Sequence, residues 1–151
     1  MTEVLILPGT VAHVETLHAN LRKGDRLELC GLGVDPWTAL TETWAESRMT
    51  KTAFVGGRLA AMWGCGGSAL GGVGVPWLLT TPAVEAVPVT MVKTARAEVG
   101  RMLSVWPRLE NWVDAGYAQA CGFLQVVGFS LGEPRALRTG AVFRPFTMER
   151  G

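Results

Sequence analysis

The stretch PRLENWVDAGYAQACGFLQVVGF, residues 107–129, constrains the fold more than any other part of the chain. An apolar strand-like run ends at Val113, and a short helix then runs into Gly128 and Phe129. A helix set directly between strands must bury one face on a sheet, which demands layered α/β packing.

The remaining segments fill in that plan. Residues 3–8, EVLILP, form a β-branched and leucine run closed by Pro8-Gly9, a first strand. Thr10 caps a helix over 11–22, with Val14, Leu17 and Leu21 on one face. Lys23-Gly24-Asp25 breaks or bends it. Asp35 followed by Pro36 opens the next helix, where Trp37, Leu40 and Trp44 recur at helical spacing. From Lys51 the period changes: Phe54 and Val55, a Gly56-Gly57 turn, then Leu59 to Trp63 predict a hairpin. VGVPWLLTT is short and apolar, as for a strand covered on both faces. A long helix follows with Val92, Ala95, Val99, Met102 and Leu103 as its apolar stripe. RLENWVDA is a strand, YAQACGFLQVV a helix and FRPFTMER a last strand. The expected order is β-α-α-β-β-β-α-β-α-β-β. It is a single domain over 1–151, an α/β sandwich with a mixed, mostly antiparallel sheet and about four helices.

Charge and cysteine usage remove several function classes. With 14 basic and 13 acidic residues the chain carries no electrostatic footprint for nucleic acid or anionic membrane. Cys30, Cys65 and Cys121 have no C-x-x-C spacing, and His13 and His18 are the only histidines, so no metal site is expected. The N-terminus lacks a basic region and cleavage site, and no apolar run reaches about 18 residues. A soluble protein of a reducing compartment is the expectation.

The two-glycine hairpin, the VPWLLTT strand, the long helix and VDAGYAQACGFLQVVGFSL together resemble the GNAT superfamily of N-acetyltransferases. Ala120, Phe123, Gly128 and Phe129 fall on that superfamily's closing pattern, N-x-x-A-x-x-F-Y-x-x-x-G-F. The blocks GGRLAAMWGC, VPWLLTT, WPRLENWVDA and FRPFTMER more specifically resemble a GNAT-like family of short-tailed phages, acetyltransferase-like or internal virion protein A-like. The resemblance implies a GNAT fold and a phage source.

The same resemblance implies what acetyl transfer would need. The superfamily binds the CoA pyrophosphate on a Gly-rich Q/R-x-x-G-x-G/A loop at a helix N-terminus, where backbone N–H groups approach the anion. Here that stretch is PAVEAVPVT: no glycine, two prolines without N–H donors, and Glu85, which repels phosphate. The family's general-acid tyrosine position holds Leu124, and the only tyrosine, Tyr117, sits where the motif has asparagine. No Glu, Asp or His lies in the MWGCGG or VPWLLTT strands to act as base.

Other candidates have plainer readings. GCGGSALGGVGV has glycine spacings of a phosphate loop but opens no helix, so it reads as a strand connection. Cys65 reads as a buried core thiol. His13 and His18 are five apart, off the i,i+4 spacing of paired ligands. Asp114 reads as a polar cap on the following helix, and Lys93 and Arg96 as a solvated face. Six tryptophans fit a Trp-rich core or, if exposed, an assembly surface.

These readings converge on a phage virion-associated or assembly protein built on a GNAT fold without acetyltransferase activity. Its partners would be other virion proteins or copies of itself, with no nucleic acid, membrane or metal. It would have no catalytic residue and no cofactor, and would reside in the virion or the infected host cytoplasm, not secreted. One alternative is an acetyl-CoA-dependent N-acetyltransferase modifying a host or phage amine. That reading requires a V-shaped split between PWLLTT and ENWVDA, and would bring Leu79, Thr80, Thr81, Thr90 and Tyr117 to the CoA. The other is a small host-takeover binding module.

Overall fold

A computed structural model describes residues 3–151, without the side chain of residue 69. Met1 and Thr2, the start of the segment read as lacking a leader, lie outside the described residues. Eight strands form one sheet: β1 Val4–Pro8, β2 Arg48–Val55, β3 Arg58–Gly66, β4 Val73–Thr80, β5 Arg108–Asp114, β6 Ser130–Leu131, β7 Arg135–Ala136 and β8 Val142–Glu149. The order is β1-β2-β3-β4-β5-β8-β6, with β7 also on β8. Every pairing is antiparallel except β4 with β5. Five helices cover it: α1 Val11–Asn20, α2 Lys23–Gly31, α3 Pro36–Glu46, α4 Pro88–Val105 and α5 Ala118–Val127.

Local signals set the boundaries that the sequence predicts. The β2–β3 hairpin turns at Gly56 and Gly57, whose φ values of 56° and 79° are the two positive angles a tight primed turn requires. Asp35 accepts from the Thr38 amide at 3.1 Å, and Pro36 starts α3. In α1, Thr10 and His13 cap each other's backbone. Gly24 and Asp25 do not end the helical region; they sit in the first turn of α2, which makes five helices rather than four.

The sheet separates two apolar layers. On one face α1, α2 and α3 place Val14, Leu17, Leu29 and Leu40 against Leu59, Met62 and Leu79. On the other, α4 and α5 place Met91, Val99, Met102 and Val127 against Trp63, Leu109, Phe129 and Phe146. Covered from both sides, β3 is buried from Leu59 to Cys65. That pattern, expected for β4, belongs to β3; Val75 is exposed and Trp77 and Leu78 half-buried, because β4 borders an opening. Trp63 and Trp106 belong to the core, while Trp37 is the exposed tryptophan.

The buried stripe of α4 also differs from its pattern. Met91, Glu98, Val99 and Met102 point inward, and Val92 and Leu103 are half-buried. Glu98 is buried because it is fully partnered: Lys51 Nζ donates at 2.9 Å, Trp63 Nε1 at 3.1 Å, and Arg101 donates as well. Burial alone would raise its pKa, but these donors and the Lys51 and Arg101 charges together hold it below the usual carboxylate range. Among the described residues, no helix is long and apolar enough to cross a membrane.

Gly74 sits where β4 meets β5. A Cβ there would lie 2.8 Å from Cys65 Sγ and Trp106 Cδ2, and 2.9 Å from Leu109 Cδ2. Gly74→Ala is therefore expected to cost about 1–3 kcal/mol through overpacking. Urea unfolding measures it, and an unchanged midpoint would show that this junction yields freely.

Candidate active site in the strand fork

β4 and β5 pair only at Val73–Arg108 and Gly74–Leu109, then diverge. The reason lies in the sequence. Gly72 O accepts from Arg108 N, so the even-numbered residues of β4 turn their main chain toward β5. Two residues past Gly74 the chain has Pro76, which lacks the N–H that the ladder would need next. The ladder stops, and a V-shaped cleft of about 980 Å³ opens between the strands.

Side chains cap the exposed edges of the fork. Asn111 bridges it near the vertex: Nδ2 donates to Pro76 O at 2.8 Å, and Oδ1 accepts from Trp112 N at 2.8 Å. Helix α2 spans the open end with two carboxylates one turn apart. Asp25 accepts from Thr80 N at 2.7 Å and from the Thr80 hydroxyl, capping β4. Glu28 accepts from Asp114 N at 3.0 Å, capping β5. Between Pro76 and Thr80, the N–H and C=O of Leu78 face the cleft with no partner from β5. An unpaired main-chain pair on an interior edge is a ready docking point for an amide-bearing ligand.

Glu28 has the electrostatics of an acid–base group. Burial raises its pKa to about 7; the Asp114 N–H opposes this, and the Asp25 and Asp114 charges reinforce it. The sequence offers no acidic residue or histidine in MWGCGG or VPWLLTT; the carboxylates that line the cleft, Asp25 and Glu28, come from α2. The available signal was Asp25, Glu28, Leu29 and Leu32 at i, i+3, i+4 and i+7, two carboxylates on an otherwise apolar helix face.

Tyr117 enters the same cleft from the start of α5. Its ring lies against Gly24, where a Cβ would come within 2.4 Å, and the Arg22 guanidinium stands 5.8 Å from its centroid. Burial first, then the Asp25 charge, push its pKa above the ordinary phenol value, so it stays a donor. Its hydroxyl stands near Asp25 and Arg22, yet neither it nor Arg22 Nε makes a hydrogen bond of normal geometry among the described residues, and both residues line the cleft. Buried polar atoms of this kind are costly unless something binds them.

The other positions disperse. Leu79 and Thr80 line the cleft. Thr81 is buried, its hydroxyl donating to Leu59 O at 2.6 Å and accepting from Ala83 N. Thr90 is exposed in the first turn of α4. The stretch after β4 is a short 3-10 helix, Pro82–Ala86, in which Glu85 reaches Arg22 at 4.0 Å. Arg96 donates to Val126 O at 2.8 Å. Asp114 Oδ1 accepts from Gly116 N, so it holds the turn before α5 rather than capping the helix. Cys65 is wholly buried, and burial pushes its thiol up to about 12. His13 Nδ1 meets the Thr52 hydroxyl at 2.9 Å, and His18 packs edge-on against Trp37.

No family model and no curated protein matches the chain. Solved structures do match it. An acetyltransferase from Agrobacterium tumefaciens is similar at TM-score 0.71 and 15% identity, covering 99% of this chain and 93% of that one. An acetyltransferase of the GNAT family from Streptococcus pneumoniae gives 0.65 at 15% identity, covering 99% and 100%. Aminoglycoside acetyltransferase AAC(6')-Ib, in complex with coenzyme A, gives 0.68 at 15% identity over 98% and 95%. None of the three is described as a virion protein. This chain has the mixed α/β fold of the GNAT acetyltransferases, with five helices on an open, mostly antiparallel eight-stranded sheet.

Proposed function

We propose that the chain is a CoA-dependent N-acyltransferase whose site is the β4–β5 fork. The observation that carries the reading is the fork itself, a cleft with an unpaired Leu78 main chain on one wall and Glu28, balanced near neutrality, at its mouth. The fold neighbours are acetyltransferases, and coenzyme A is bound in one of them. The cofactor supplies an activated acyl thioester when bound. Leu78 N–H and C=O orient the pantetheine amides along β4. Glu28 takes the proton from an incoming ammonium, for which a carboxylate titrating near neutral pH is suited. Tyr117 and Arg22 hold polar groups on the same side of the cleft.

Cofactor fit is uneven along its length. The fork suits the pantetheine arm. The pyrophosphate end has only the first turn of α4, which Pro88 opens without an N–H, beside the Glu85 carboxylate. That feature favours a second reading: a GNAT fold kept as a non-catalytic assembly protein, which the phage resemblance would place in a virion with other virion proteins or copies of itself. Calorimetry with acetyl-CoA separates the two. A working site binds at micromolar levels, about −8 kcal/mol. Heat absent at millimolar ligand would remove the transferase reading and leave the second.

A further inference from the structure

We infer that the acyl group this site accepts is longer than acetyl, a chain of about four carbons seated in a side chamber beside the fork. The inference rests on the transferase reading and concerns only what the thioester carries.

A separate cavity of about 80 Å³ lies between α4, α5 and the sheet. It adjoins the cleft directly, because Pro76, Trp77, Leu78 and Met91, with Phe123, Leu124 and Phe146, line both. The far wall is Val99, Met102, Val127 and Phe129, all buried and apolar. Glu98 is the one charged residue on the lining, and Lys51, Trp63 and Arg101 already occupy its oxygens. No unpaired charge therefore faces the chamber, and an apolar cavity of this kind favours hydrocarbon over water. One water-sized group needs roughly 10–15 Å³ on the same measure, so about five such groups fit. An acetyl methyl would fill only part of it. A thioester held at Leu78 has the chamber beside it, on the α4–α5 side of β4, while Glu28 and Tyr117 stand toward α2. Chain and acceptor thus approach from different directions.

Calorimetric titration of the full chain with CoA, acetyl-CoA, butyryl-CoA and octanoyl-CoA tests this without a turnover assay. Butyryl-CoA is expected to bind about tenfold tighter than acetyl-CoA, as burial of two further methylenes implies, and octanoyl-CoA no tighter than butyryl-CoA. Ala95 lines the chamber from α4. In Ala95→Leu the butyryl advantage should disappear while acetyl-CoA affinity holds. Acetyl-CoA binding as tightly as butyryl-CoA to the unmodified protein would overturn the inference and leave the transferase reading standing. An advantage that survives in a folded Ala95→Leu would overturn the placement of the chain. If CoA and every thioester fail to bind, the transferase reading falls and takes this inference with it.

Discussion

Trp106→Ala will lower the stability of this protein by about 3–5 kcal/mol, a large fraction of the ~5–15 kcal/mol typical of a whole domain. The melting temperature should fall by about 10 °C. Trp106 is the largest wholly buried side chain, and it follows α4 with its N–H on Met102 O at 2.9 Å. Its indole lies directly behind Gly74, so it backs the only residues at which β4 and β5 pair. Truncation opens a cavity at the vertex of the fork, and the cleft should loosen along with the core. Trp106→Phe separates volume from polarity. Indole Nε1 has no partner among the described residues, so phenylalanine sacrifices no hydrogen bond and should cost well under half as much. Thermal melts of the two variants decide it. A fall of less than about 2 °C for Trp106→Ala would mean that the vertex repacks freely.

Trp106 and Gly74 also mark where sequence reasoning succeeds and where it stops. Elements fixed by local backbone demands were legible: two glycines at a primed turn, Asp35-Pro36 at a helix start, helical spacing in α1 and α3. Gly24 and Asp25 misled because their compensation is tertiary. The glycine makes room for the Tyr117 ring, and the aspartate is satisfied by Thr80 on a strand 55 residues away. The two-residue strands β6 and β7 are too short to carry any period. The alternative reading's V-shaped split was expected between the right strands. Its cause, Pro76, is in the sequence, but its meaning depends on which edge of β4 faces β5. Glu98 shows the limit from the other side, a carboxylate on a buried helix face that joins its helical neighbour Arg101 to partners on β2 and β3, 47 and 35 residues away. The closing motif led to the fold, and the fold brought together the carboxylates of α2 that no motif predicted.

If the fork is the transferase site proposed above, Glu28→Gln should reduce acyl transfer by roughly 10²-fold or more while leaving cofactor affinity nearly unchanged, since a general base contributes about that much. The substitution is conservative in structure: a glutamine carbonyl still accepts from Asp114 N, so the α2–β5 link survives. In the unmodified protein the rate should climb as pH rises through about 7, as Glu28 ionises, and the variant should lose that limb. Stability supplies an arm that needs no substrate. Folding raises the Glu28 pKa from 4.5 to about 7, so between those values the native state binds more protons than the unfolded chain. Its contribution to stability is fully present below pH 4.5 and is lost as pH climbs to about 7. Glutamine, neutral throughout, escapes that loss. Urea melts at pH 4 and pH 8 should therefore find Glu28→Gln gaining on the parent at the higher pH. A gain at pH 8 with no change in transfer would keep the buried, proton-holding carboxylate but strip it of a catalytic role, and the base would then have to be sought among the other groups of the cleft. Equal stability differences at both pH values would mean that Glu28 is ionised like any surface glutamate, and the assignment of a base at the mouth of the fork would fail on electrostatics alone.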